Sequence, residues 1–344
     1  MSYKVTVKPS GHTFEVADNE TILNAALEAG INLPYGCRDG ACGACKGRVV
    51  EGQVTYAGQF PAALTENERF AGYALFCSAM PLSDLVIESS EVLNNNGIRP
   101  RVLPVRVQKM EKLSHDVMAM YLKLPSNERM QFMAGQYVDF LLKDGKRRAF
   151  SLANAPHSDD LLELHLRLIP GGKFTEYVFQ EMPEKAIMRM EGPLGSFYLR
   201  EDSDKPIIFI AGGTGFAPIK GIIEHMLHHK MQRPITFYWG ARSLQDLYLP
   251  ELPKQWTNEY SNFTYIPVLS EPLAQDEWRG RTGLVHEAVL ADHADLSGYQ
   301  VYCCGNPQMV EAAHLAFQER GMPENEFFSD AFTFSNPQPA VASS

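Results

Sequence analysis

The sequence predicts a multidomain protein of α/β and β class, with a small β-rich module, an antiparallel β-barrel and a parallel α/β sheet following one another along the chain. Three observations predict it. Between Gly36 and Cys45 three cysteines crowd into one glycine-rich loop, flanked by short alternating strands. From Leu103 to Arg200 short strands recur between glycines and prolines with little helical periodicity, the pattern of a small antiparallel barrel. From Asp204 onward strand and helix patterns alternate, which reads as a parallel sheet covered by helices. A chain of 344 residues has length for about two to three such domains, each with its own core.

Composition narrows the function classes. With 45% apolar and 21% charged residues the chain is ordinary for a globular protein, and its net charge of -10 argues against nucleic acid and anionic membrane surfaces as partners. Residues 1–93 hold eleven acids against six bases, a balance of -5. That balance suits an acidic face for a basic partner or a merely solvated surface. No apolar run approaches ~20 residues, so no membrane span is expected. The start alternates like a strand and shows no signal peptide. Six cysteines fit a reducing cytoplasm if four are metal ligands and Cys303 and Cys304 stay as thiols.

The first module is expected over residues 1–93. A hairpin from Tyr3 to Val16 turns at Ser10-Gly11. Ile22, Ala25, Ala26 and Ala29 then recur at helical spacing, and after the cysteine loop Lys46 to Val54 reads as strands turning at Glu51-Gly52. Leu82 to Ile87 supplies a closing strand. In the loop, Cys37, Cys42 and Cys45 stand at C-x4-C-x2-C spacing, and Cys77 follows 32 positions later, the ligand pattern of a plant-type [2Fe-2S] cluster. Gly36, Gly40 and Gly43 leave the loop free of bulk, so peptide N–H groups can point at the sulfurs. A structural zinc and a C-x-x-C dithiol are the competing readings; zinc ribbons pair two C-x2-C units, whereas Cys77 stands alone. The layout resembles a plant-type ferredoxin, which implies a β-grasp fold.

Residues 94–102, rich in Asn with Gly97 and Pro100, read as a linker. The barrel is expected over 103–201, with strands at Pro104–Met110, Val117–Leu124, Tyr137–Leu142, Leu162–Leu168 and Ala186–Glu191 and a helix near Thr175–Glu181. Arg147-Arg148-Ala149-Phe150-Ser151-Leu152 is its informative stretch, and Gly171-Gly172-Lys173-Phe174-Thr175 opens a helix with glycines and a hydroxyl, a fit for a diphosphate on free N–H groups.

The α/β domain is expected over 202–334, with a disordered tail at 335–344. An apolar strand, Ile207 to Ala211, runs into Gly212-Gly213-Thr214-Gly215-Phe216-Ala217-Pro218, where a phosphate can approach the backbone and Pro218 takes the first helical position. This is not the G-x-G-x-x-G fingerprint of standard dinucleotide dehydrogenases. Tyr238-Trp239-Gly240-Ala241-Arg242 and Cys303-Cys304-Gly305-Asn306-Pro307 follow.

Together these stretches resemble the Arg-x-Tyr-Ser, Gly-Gly-x-x-Ser/Thr and nicotinamide-nucleotide motifs of the ferredoxin-NADP reductase superfamily. The resemblance implies that Arg148 pairs with the diphosphate of FAD, Phe150 packs on the flavin, Ser151 bonds near its N5, and Gly172 with Thr175 completes the diphosphate site. Phe150 departs from the family tyrosine and lacks its hydroxyl. By the same resemblance Gly213, Thr214, Gly215 and Pro218 form the nucleotide turn, Thr214 and Cys304 flank the nicotinamide, and Arg242 touches the adenosine half. Cys304 and Ser151 are the candidate catalytic residues. Phe332 is either a flavin contact or ordinary packing in a terminal strand. NADH is preferred to NADPH because Arg242 is alone and Asp246 is nearby.

Nearly the whole chain resembles the ferredoxin-fused flavin reductases, including the reductase components of ring-hydroxylating dioxygenases and multicomponent monooxygenases. Within that group it is most similar to the reductases that serve a pyridoxamine-phosphate dehydratase in 3-deoxysugar formation. The resemblance implies electron transfer from NADH through FAD to the cluster and on to a dehydratase or a terminal oxygenase. A module that senses redox state and binds a partner without turnover is the alternative of another class.

Overall fold

The computed structural model describes residues 2–58, 60–89 and 98–333. Residues 94–97 of the expected linker and the whole 335–344 tail lie outside the described residues. The first sheet runs in the order Thr13–Ala17, Ser2–Lys8, Leu85–Glu88, Lys46–Glu51, Tyr73–Leu75, with only the Ser2–Lys8 and Leu85–Glu88 pair parallel. Its alternating inward side chains, among them Val5, Val7, Phe14, Val16 and Ile87, bury against the helix Ile22–Glu28. Thr21 starts that helix by accepting a hydrogen bond from the Asn24 N–H. The strands expected to turn at Glu51-Gly52 form, and the turn sends them into different sheets. Lys46–Glu51 and Val54–Tyr56 do not pair with each other; Val54–Tyr56 pairs with Ala79–Pro81 in a separate two-stranded sheet. Gly52, at φ 93°, turns the chain out of the main sheet, and a Cβ there would lie 2.2 Å from the Asp84 carbonyl oxygen.

The second sheet is wholly antiparallel, in the order Arg147–Ser151, Tyr137–Leu141, Ile187–Leu194, Arg101–Lys112, Val117–Lys123, Leu162–Arg167. A bridge between Leu152 and Leu164 joins its two ends, closing the barrel around Leu103, Val105, Leu122, Val138, Phe140 and Leu164. The strand Arg101–Lys112 begins inside the stretch expected to be linker.

The third sheet is parallel throughout, ordered Arg281–Thr282, Phe263–Leu269, Ile235–Ala241, Ile207–Gly212, Gln300–Gly305, Phe327–Ala331. Ile207–Ala211 is buried at every position, as a central parallel strand must be. The connections leave this strand in opposite directions, so its C-terminal end at Gly212 is a topological switch point, where α/β sheets open a ligand crevice. No helix among the described residues is long and apolar enough to cross a membrane.

A buried ionic network ties barrel to α/β domain. Lys220 Nζ, on the helix Phe216–His228, lies 3.0 Å from the Ala153 carbonyl oxygen, from Glu163 and from Glu224. Burial alone would raise the Glu163 carboxyl, but a hydrogen bond from His165 and the Lys220 charge outweigh it and hold the group at about 2. Glu224, on the same cation, is instead pushed up by burial. The Glu163 depression, from 4.5 to about 2, is worth about 3 kcal/mol of stability. Because the folded value is the lower one, that contribution is present above pH 4.5 and lost as pH falls toward 2. Glu163→Gln is therefore expected to lower the urea midpoint at pH 7 and to flatten its fall between pH 5 and pH 2. Fluorescence of Trp239, Trp256 and Trp278, all in the α/β domain, measures both.

Candidate functional site

The cysteine loop arranges its sulfurs in two pairs. Ala41 N–H and Cys42 N–H both donate to Cys37 Sγ at 3.3 Å, and Cys37 N–H donates to Cys42 Sγ at 3.3 Å, so peptide dipoles face the sulfurs as the glycine content predicts. A hydrogen bond from Cys37 lowers the Cys42 thiol, and one from Cys45 lowers Cys77 to about 7. A cluster takes all four sulfurs as thiolates, so the two thiols that stay protonated give up their protons when iron binds. A single tetrahedral zinc with Zn–S near ~2.3 Å would bring all four sulfurs within roughly 3.8 Å of one another. Among the described residues the one metal-like group gathered within 4.8 Å is His115, Asp116 and Asp246, so no three of these sulfurs are that close. Two pairs held apart fit two irons.

The loop is docked on the barrel. Ser196 Oγ donates to the Tyr35 carbonyl oxygen and accepts from the Tyr35 N–H, both at 3.0 Å, and Tyr137 Oη donates to the Gly36 carbonyl oxygen at 2.5 Å. Tyr137 and Leu194, from the barrel, pack into the core of the first module. Arg38 lies 3.5 Å from Glu191, which Arg147 also reaches.

In the barrel, Arg148 and Phe150 are half-buried and Ser151 is buried. Among the described residues no carboxylate pairs with Arg148, whose one recorded bond is to the Arg147 carbonyl oxygen at 2.7 Å. Phe150 packs against Phe174 at 5.6 Å between ring centroids, which turns one face of its ring toward the helix Lys173–Gln180. Gly172 caps that helix. Thr175 is spent differently from expectation. Its hydroxyl is buried, accepts from the Ile169 N–H at 3.1 Å and donates back to the Gly172 carbonyl oxygen at 3.1 Å, so it closes its own turn. The first-turn N–H groups, not this hydroxyl, are free for an anion.

At the switch point Gly213–Gly215 forms a 3₁₀ turn before the helix Phe216–His228, so Pro218 is the third helical residue rather than the first; it still lies in the turn whose N–H groups lack partners. Thr214 is half-buried beside it. Cys304 lies beside Ala211 in the adjacent strand, fully buried, and burial pushes its thiol well up, so the thiol is neutral. Arg242 is exposed at the end of Ile235–Ala241. Phe332 follows Phe327–Ala331, with its N–H donating to the Gly305 carbonyl oxygen at 2.8 Å.

Two residues that sequence reasoning passed over join these parts. Asp330 accepts a hydrogen bond from Ser151, has its Oδ2 4.0 Å from Cys304 Sγ, and would lie 4.0 Å from a Cβ placed on Gly36. Burial raises its carboxyl to about 6, with the Ser151 bond opposing. Arg167, from the barrel strand Leu162–Arg167, reaches over the nucleotide turn, where its Nη1 stands 2.6 Å from a Cβ placed on Gly213. Asp116 holds it at 3.1 Å, yet its buried Nη2 has no hydrogen-bond partner. A guanidinium with a free donor above a glycine turn is a place for an anion. The Ser151-Leu152 motif gave no signal for Asp330, 179 residues away, but the His165-Leu166-Arg167 alternation put two polar side chains on one strand face.

Residues 5–82 match the 2Fe-2S iron-sulfur cluster binding domain, 104–198 the oxidoreductase FAD-binding domain, and 209–315 the oxidoreductase NAD-binding domain. The chain is 38% identical over 332 residues to the CDP-6-deoxy-L-threo-D-glycero-4-hexulose-3-dehydrase reductase of Yersinia pestis, covering 96% of this chain and 99% of that one. It is also 38% identical to DmpP, the reductase component of phenol 2-monooxygenase from Pseudomonas sp. (strain CF600), over 96% of this chain and 95% of that one. The solved structure of the Amycolatopsis cytochrome P450 reductase GcoB superposes with a TM-score of 0.80 at 33% identity, covering 97% of this chain and 100% of that one. With three cofactor-binding modules in this order and full-length relatives that are reductases, the chain belongs to the ferredoxin-fused flavin reductases of the ferredoxin-NADP reductase superfamily and is an NAD(P)H-dependent iron-sulfur flavoprotein that uses FAD and a [2Fe-2S] cluster in electron transfer.

Proposed function

We propose that this reductase takes electrons from NADH and delivers them to a pyridoxamine-phosphate dehydratase of deoxysugar synthesis, as a CDP-6-deoxy-Δ3,4-glucoseen reductase. Asp330 is the observation that supports one continuous path, because a single carboxylate borders Ser151 of the barrel, Cys304 of the α/β domain and the Gly36 loop. FAD supplies the chemistry that joins a two-electron nicotinamide donor to a one-electron iron-sulfur acceptor. The chain's residues bind, orient and exclude water. Arg148, Gly172 and the first-turn N–H groups after it hold the flavin diphosphate, and Phe150 and Phe332 wall the flavin. Ser151, oriented by Asp330, faces N5. Gly213, Thr214 and Gly215 admit the nucleotide backbone, Cys304 closes the dry side of the nicotinamide, and Arg242 meets the adenosine half. Cys37, Cys42, Cys45 and Cys77 hold the cluster. The same reading divides the chain into modules at 1–93, 103–201 and 202–334.

Arg167 belongs to the nucleotide site as the barrel's contribution to the diphosphate. Arg167→Gln removes a charged donor and is expected to weaken NADH binding by about tenfold or more. Titration of the oxidised protein with NAD⁺ measures it; an unchanged dissociation constant removes Arg167 from the site.

The partner assignment rests on similarity to the Yersinia pestis reductase. The equal identity to a phenol monooxygenase component supports a second reading, an oxygenase reductase. Reconstitution decides between them. NADH-driven turnover of a pyridoxamine-phosphate sugar dehydratase, with none of a terminal oxygenase, is the result this reading expects; the reverse pattern selects the oxygenase.

A further inference from the structure

Between flavin strand and nucleotide turn runs a chain of buried polar contacts that no cofactor-binding role uses. It starts at the Ala153 carbonyl oxygen, two residues past Ser151, where Lys220 Nζ donates at 3.0 Å. Lys220 also donates to Glu163 at 3.0 Å, and the other oxygen of Glu163 lies 2.8 Å from His165 Nε2. His165 Nδ1 lies 2.9 Å from the Tyr248 hydroxyl. Burial keeps His165 neutral against the pull of Glu163, which fixes its tautomer: Nε2–H donates to Glu163 and Nδ1 accepts from the Tyr248 O–H. Tyr248 packs edge-on to Trp239 at 5.2 Å, and Trp239 Nε1 donates to the Gly213 carbonyl oxygen at 3.0 Å.

The two ends of this chain are the flavin strand and the nucleotide turn. Lys220 and Trp239 each grip backbone, so the contacts act on chain positions and not on mobile side chains. Beside Lys220, Gly221 lets the helix press onto the flavin strand, since a Cβ there would lie 3.0 Å from the Asn154 and 3.3 Å from the Leu152 carbonyl oxygens. Helix and strand are therefore in backbone contact, and the polar chain sets their register.

We infer that Lys220, Glu163, His165 and Tyr248 are positioning residues that fix the distance between nicotinamide and flavin, and so the rate of hydride transfer. This rests on the reductase reading and deepens it. None of the four touches the reacting atoms. Hydride transfer falls steeply with small misplacements, with about 1 Å costing on the order of 100-fold.

The test is anaerobic stopped-flow reduction of the holoenzyme by NADH. Tyr248→Phe deletes the hydroxyl and leaves His165 Nδ1 unpaired; Lys220→Arg keeps charge at altered length, and Lys220→Met removes it. For Tyr248→Phe and Lys220→Met the flavin-reduction rate is expected to fall on the order of 10- to 100-fold. Full FAD content, little change in NADH affinity and a weakened long-wavelength charge-transfer band between flavin and nicotinamide should accompany the fall. Lys220→Arg should recover part of both. Wild-type rate and charge-transfer band in Tyr248→Phe overturn the inference, as does a slow variant whose loss tracks missing FAD. Failure of NADH to reduce the wild-type flavin would strike the reductase reading itself, a separate outcome.

Discussion

Gly215→Ala is expected to stop reduction of the flavin by NADH while leaving flavin and cluster in place. Gly215 has an ordinary helical backbone, φ -56°, so it is not there for conformational freedom. Alanine would be the better helix former by up to about 1 kcal/mol. Space decides instead. A Cβ on Gly215 would lie 2.0 Å from the Cys304 carbonyl oxygen and 2.6 Å from its carbon, and these are backbone atoms of a central strand that cannot swing aside. The overlap costs about 3 kcal/mol or more, and the Gly213–Gly215 turn must lift from the strand that bears Cys304. Because the proposed function sets that turn and Cys304 against the nicotinamide, the expected loss in flavin reduction is at least on the order of 100-fold. Dithionite should still reduce both centres. Gly298→Ala, where no atom lies within 4 Å of the added Cβ, is the matched control and should behave as wild type. Wild-type reduction kinetics in Gly215→Ala would remove the turn from the nucleotide site.

Cys42→Ser is expected to eliminate the cluster and, with it, delivery of electrons to the partner, while NADH still reduces the flavin. Serine replaces a lowered thiol by a hydroxyl that binds iron poorly, and Cys42 is half of the Cys37 pair. The loop itself stays anchored, because Tyr35–Ser196 and Tyr137–Gly36 are bonds to backbone that do not involve sulfur. The barrel strand Arg147–Ser151 should keep its shape. Metal analysis and flavin reduction kinetics separate the two effects. Loss of FAD together with iron would contradict the independence of the two sites.

The cysteine spacing, the Arg148 to Ser151 strand and the Gly213 turn were legible because each is a local pattern tied to one chemistry. The order of β-rich module, barrel and parallel sheet was legible because hydrophobic periodicity changes along the chain. What was not legible is how the modules meet. Tyr35 and Ser196 are 161 residues apart, Tyr137 and Gly36 are 101 apart, and neither pair has a local signature. Asp330 stands two residues before Phe332, yet weight fell on the aromatic because a carboxylate in a terminal strand shows its purpose only when Ser151 and Cys304 stand beside it. Thr175 shows the opposite error, a hydroxyl that looked available to a ligand and is used by its own turn. The turn at Glu51-Gly52 was legible from its glycine, but the pairing of Val54–Tyr56 with Ala79–Pro81 in a second sheet was not, because it depends on residues about 25 positions away.

That electrons cross from nicotinamide to cluster within this one chain is tested most directly by anaerobic titration of the holoenzyme with NADH, followed by visible absorbance and low-temperature EPR. Loss of the oxidised-flavin bands accompanied by a rhombic signal of a reduced [2Fe-2S] cluster is the expected result. Flavin bleaching with iron bound but no cluster signal would contradict the path.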